Sequence, residues 1–185
     1  GVGRRFAEAL GARARAGVRV CVLYDWLGST KTRSLWAQLR ETGVEVVAFN
    51  PPSFDSPLEW LTRDHRKSIV VDGQIAFVSG LCVSNDWEGD PAKRLEPWRD
   101  TGVEVRGPSV ANIEQAFAHV WNILGDPLPA DEVASREGCD ACVKGGPGGR
   151  LKNLPEPLHR LRLNSVLAAE RTHHQTRGRR RPTRS

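Results

Sequence analysis

The sequence predicts an α/β sandwich: a mixed sheet flanked by helices, followed by a basic tail expected to be poorly ordered. Three observations predict it. Apolar patterning runs helix, strand, helix, strand up to Phe49 with short connections, as parallel crossovers require. Two short apolar runs, Val70-Val71 and Ile75 to Val78, then flank Asp72-Gly73, a strong hairpin signal. Last, Val110, Ile113, Phe117, Val120, Trp121 and Leu124 fall on one face of a 3.6-residue period. At 185 residues the chain is long enough for one domain with a sizeable core.

Taken in order, Phe6, Ala9 and Leu10 share a face of the first helix, which Gly17 ends at a position favouring a left-handed cap. Val18 to Tyr24 reads as a buried strand closed by Asp25. A second helix begins near Lys31, with Leu35, Trp36 and Leu39 inward and Gly43 just past its end. Val44 to Phe49 is the next strand, stopped by Asn50-Pro51-Pro52, and Pro51 to Trp60 is a loop. The hairpin follows, then a polar loop over Ser84–Asp100 and a strand over Thr101–Arg106. Pro108 suits the first turn of the last periodic helix, off whose apolar face lies His119, an exposed histidine.

The chain divides into a domain over 1–126, a Gly- and Pro-rich linker over 127–157, and the segment 158–185. Leu158 to Ala169 is expected to be a helix; beyond Arg171 the composition is basic and poor in apolar residues. Charge is divided the same way. From Arg150 onward ten Lys or Arg face two Asp or Glu, a net of +8, whereas the rest of the chain carries −3 of the overall +5. An acidic body disfavours nucleic acid as the partner, and the tail reads as a solvated end or an attachment to anionic surfaces. No apolar run approaches the ~20 residues that span a bilayer. The chain has no methionine, which suggests a piece of a longer product. Cys21 and Cys82 sit in apolar runs as small core residues, and the lone Cys139-x-x-Cys142 lacks the second pair or histidines of a zinc site. No cofactor or metal is expected, and four cysteines so placed suit a reducing compartment.

The chemistry concentrates between Asp64 and Asn85. His65 and Lys67 are two apart, so in an extended segment they project to one side while Arg66 points to the other. An imidazole beside an ammonium at a strand entrance suits an anion between them. The pattern His65-x-Lys67-x-x-x-x-Asp72-Gly73 resembles the signature of the phospholipase D superfamily. Ser79-Gly80 stands where that family has a glycine pair after the second strand. Trp98-Arg99-Asp100-Thr101 and Gly107-Pro108 are similar to the segment that follows in bacterial cardiolipin synthases. The likeness covers residues 3–124 in order.

The resemblance implies a phospholipase D-like half-module in which His65 forms a covalent phosphohistidine and Lys67 binds the phosphate. Asp72 is shared between catalysis and the turn. Ser79, Gly80 and Asn85 would help hold the phosphate. Where the family has an asparagine after the glycine pair, this chain has Cys82, so Asn85 would have to bend back. The superfamily uses two such motifs and this chain has one; His173-His174 is followed by Gln175 and Thr176, not a lysine. In that light 158–185 would be the start of a truncated second half and a disordered tail.

Three functions follow as expectations. The first is a cardiolipin synthase-type phosphatidyltransferase, peripheral on the cytoplasmic side of the membrane, acting on anionic phospholipid. Its site would be completed by a homodimer or a second-half partner. The second is a single-motif dimeric phosphodiesterase or nuclease, disfavoured by the acidic body. The third is a catalytically incomplete fragment.

Overall fold

Residues 20–24 are apolar without interruption, and a strand so composed must be covered on both faces. In the computed structural model, which describes residues 1–54, 62–80, 82–133 and 160–165, that is where they lie. Strand β1 (Arg19–Asp25) is buried from Val20 through Asp25. It pairs in parallel with β2 (Glu45–Phe49), reached through α2 (Arg33–Glu41). With β3 (Ser68–Val71), β4 (Ile75–Val78), β5 (Val103–Arg106) and β6 (Arg160–Ser165), the described residues form a six-stranded sheet in the order β2-β1-β6-β3-β4-β5, mixed as expected. Strand β3 runs antiparallel to β4, which is antiparallel to β5. Helices α1 (Val2–Arg15) and α2 cover one face and α3 (Ser109–Leu124) the other.

The local signals explain most of these boundaries. Gly17 and Gly43 take φ of 90° and 88° just past α1 and α2, a left-handed conformation cheap only for glycine. In the turn of the β3–β4 hairpin Asp72 and Gly73 have φ of 52° and 67°, the signs a primed hairpin turn needs, and Gln74 N donates to Val71 O at 3.0 Å. On the α1–α2 face, Val20, Val22 and Tyr24 pack with Leu10, Trp36, Leu39, Leu161 and Leu163, and Tyr24 stacks on Trp36 at 4.4 Å. On the other face Cys21 and Leu23 meet Phe117 and Trp121, while Val70, Ala76 and Val105 meet Val110. Arg19 ties the sheet to the segment after α3 through Glu45 and Glu132, both at 2.7 Å.

Three expectations change. Leu158 to Ala169 does not form a helix over its described part; residues Arg160–Ser165 are strand β6. It inserts between β1, in parallel, and β3, antiparallel, so residues beyond the expected boundary at 126 complete the same sheet. Leu161 and Leu163 are buried there because a central strand is covered on its faces by helices. On α1 the buried residues are Ala7, Leu10 and Gly11; Ala9 is exposed, since it lies about 200° around the helix from Ala7. On α3 the most buried stripe is Val110, Ala111, Glu114, Phe117, Ala118 and Trp121, with Ile113, Val120 and Leu124 at its margins. Small Ala111 and Ala118 let the helix approach the sheet. His119 is exposed, as its position off the stripe requires.

Residues 55–60 of the expected loop, the linker beyond 133, Cys139 and Cys142, and the tail with His173 and His174 lie outside the described residues. Among the described residues no helix is long and apolar enough to cross a membrane.

Candidate active site

The segment before β3 is fixed by two buried carboxylates. Asp25, at the end of β1, accepts from Gly28 N at 2.8 Å and binds Arg63 through Nε at 2.8 Å and Nη2 at 2.7 Å. Asp64 accepts from the backbone Arg66 N at 3.1 Å and clamps the Arg66 guanidinium through Nε at 2.9 Å and Nη2 at 2.7 Å. Two-point guanidinium–carboxylate contacts are directional, so they set the backbone on both sides of His65. Arg66 turns toward α3, where Nη1 donates to Ala116 O at 3.3 Å. His65 and Lys67 are left in contact with each other.

Lys67 is buried, with 7% of its surface exposed. Its Nζ lies 2.7 Å from His65 O and 2.8 Å from His65 Nδ1, with Nε2 at 3.4 Å. With the ammonium donating, Nδ1 accepts and the ring proton sits on Nε2. Among the described residues no carboxylate pairs with Lys67, and a buried cation without a counter-ion favours an incoming anion. Partial burial, then Lys67, then Arg63 lower the pKa of His65 below its usual value, opposed by Asp25 and Asp64. These effects favour the neutral imidazole, the form a nucleophile needs.

His65 and Lys67 line a cleft of about 500 Å³ beside α3, which Arg66 and Ala116 also border, with Ser68, Ser79, Gly80 and Asn112 around it and apolar walls from Ile113 and Phe117. Ser79 N donates to Lys67 O at 3.1 Å, which holds the end of β4 against the site. A Cβ at Gly80 would sit 2.6 Å from Asp100 Oδ2, so a side chain there displaces Asp100. His65, Lys67, Ser79 and Gly80 are thus brought together.

Asp72 and Asn85 are not. Asp72 is in the hairpin turn at the far end of β3, about 16 Å from Lys67 at ~3.3 Å per residue. Asn85 lies by the start of α1, where its Oδ1 accepts from Val2 N at 2.7 Å. Sequence reasoning missed the Asp25–Arg63 and Asp64–Arg66 pairs around His65. Only the charge density of residues 63–67 hinted at them, since Asp25 arrives from a different strand. Asn112 was missed too, because it lies on the exposed side of α3. Among the described residues no group of His, Cys, Asp and Glu could hold a metal ion.

A mixed sheet carrying a His–Lys pair beside a cleft of about 500 Å³ is in keeping with the sequence resemblance, and comparison with known proteins places the chain in the phospholipase D superfamily. It is 32% identical over 173 residues to cardiolipin synthase 1 of Bacillus anthracis, covering 85% of this chain and 34% of that protein. Cardiolipin synthase A of Pseudomonas fluorescens Pf-5 is 39% identical over 135 residues, covering 69% and 27%. Its counterpart in strain SBW25 is 38% identical over 148 residues, covering 71% and 30%. The chain spans about a third or less of the length of these relatives. No family model and no solved structure matches it. The chain belongs to the phospholipase D superfamily, among its cardiolipin synthase-like members.

Proposed function

We propose that this chain carries one half of the active site of a cardiolipin synthase-type phosphatidyltransferase, which joins two phosphatidylglycerols and releases glycerol. The observation that carries the reading is the buried Lys67 ammonium resting 2.8 Å from the His65 ring with no carboxylate partner among the described residues. A lipid phosphodiester entering the cleft draws that ammonium from His65 to its own oxygens. The move frees a lone pair on the neutral imidazole, which attacks phosphorus to give a phosphatidyl-histidine. The leaving alkoxide takes a proton from an acid outside this His–Lys pair, a histidine of a second half or of a second copy of the chain. The hydroxyl of the acceptor phosphatidylglycerol then displaces His65 from phosphorus and gives its proton to the group that protonated the leaving alkoxide, which restores both. Lys67 stabilises the oxyanion in both steps without a metal.

On this reading the protein works at a membrane surface on anionic phospholipid. Ser79 and Gly80, which line the cleft, would lie beside the phosphate, while Asp72 and Asn85 would serve the turn and the start of α1. The test is transfer between labelled phosphatidylglycerol molecules in vesicles, with His65→Ala as control. His65-dependent cardiolipin supports the reading. His65-dependent cleavage of plasmid or bis(p-nitrophenyl) phosphate without lipid product would replace it with a phosphodiesterase.

A further inference from the structure

The site cleft has a neighbour. A groove of about 410 Å³ runs along the α1 face of the sheet, with Phe6, Ile69, Phe77 and Val83 as walls and the Trp87–Trp98 pair along one side. Lys67 lines both the groove and the His65 cleft. We propose that this groove holds one acyl chain of the phospholipid whose phosphate sits at His65 and Lys67; the inference rests on the reaction proposed above.

Charge and continuity name the occupant. The groove offers one ammonium, at the boundary it shares with the cleft, and largely hydrocarbon walls beyond it; the one carboxylate on its lining, Glu88, is exposed and paired with Arg5. That is the distribution of an amphiphile with an anionic head. A sugar phosphate or nucleotide would leave those walls facing polar atoms, at the cost of desolvating them. The volume lies in the ~300–1,000 Å³ range of ligand sites. Cys82 fits the same occupant: it stands where the family resemblance implies an asparagine amide, and it lines the groove with a weakly polar thiol. Trp98 is 62% exposed and packs on Trp87 at 4.9 Å between ring centroids. Tryptophan at such a position suits the boundary between water and lipid, from which a chain would enter.

The test uses the full chain with Cys139→Ser and Cys142→Ser, so that Cys82 reports, Cys21 being fully buried. Cys82 alkylation is timed with monomeric dibutanoyl- or dihexanoyl-phosphatidylglycerol, or with glycerophosphoglycerol, which has the head group and no acyl chain. The lipids should slow alkylation, with the half-protecting concentration falling on the order of tenfold from the shorter to the longer chain, as burial of two methylenes implies. Glycerophosphoglycerol should give no protection at those concentrations. Equal protection by all three, or protection independent of chain length, overturns the groove. In Val83→Trp, which fills the groove, calorimetric affinity should lose its chain-length dependence; retention of that dependence also overturns it. The two proposals fail separately. His65-dependent transfer without chain-length dependence removes the groove and keeps the reaction; chain-length-dependent protection without His65-dependent transfer does the reverse.

Discussion

Strand β3 has two differently used ends. At its entrance, Asp64, His65, Arg66 and Lys67 crowd four charged or titratable groups into four residues, held by contacts at 2.7–3.1 Å. At its exit, Asp72 and Gly73 contribute backbone: both have positive φ, and the chain reverses there. The family pattern spans both ends as one motif. On the proposed reading its first two members do side-chain chemistry, and its last preserves the hairpin that holds them in register against β4. A spacing in sequence can therefore record one strand's length rather than one site's membership.

Substitutions at the two ends should separate them sharply. His65→Ala should lower phosphatidyl transfer by about 10³-fold or more in the assembled enzyme, because it removes the nucleophile. Asp72→Asn should change transfer by no more than about twofold, since asparagine also tolerates left-handed backbone. A loss at position 72 as large as that at 65 would join the ends again. Leu163→Ala, on the neighbour that supports the middle of β3, should cost about 2–5 kcal/mol of stability in urea unfolding. If β6 were not in the sheet, that loss would be absent.

Asp72→Val should cost about 1–2 kcal/mol, because a β-branched residue is strained at φ of 52°, while transfer per folded molecule stays near wild type. The smallest effect is electrostatic. Desolvation, then Lys67 and Arg63, lower the His65 pKa, so Lys67→Met should raise it in an NMR titration of the ring. The sign for stability follows. The folded protein binds a proton at His65 less readily than the unfolded chain, so this group's contribution falls as pH drops through the ordinary histidine range to the lowered folded value. Lys67→Met should narrow that window.

The hairpin, the helix ends and the parallel start of the sheet were legible because each rests on local chemistry: glycines at positive φ, Asp72-Gly73, an unbroken apolar run in β1. Strand β6 was not. Leu161-Arg-Leu-Asn alternates with period two, yet the surrounding leucines also suit a helix, and only pairing with β1 and β3 decides between them. Within the site, His65 and Lys67 were legible from their spacing. The Asp25 carboxylate that holds Arg63 was not, because 38 positions separate them. Asn85 was misleading for the same reason: its partner, Val2 N, comes from the other end of the sequence.

The most direct test of the division between the two ends is phosphate binding followed at the His65 ring by NMR, which needs no second half-site. Inorganic phosphate should perturb the His65 resonances of wild type and Asp72→Asn with similar affinity, and leave those of Lys67→Met unmoved over the same range. Loss of binding in Asp72→Asn with the fold intact, or full retention in Lys67→Met, would contradict the account.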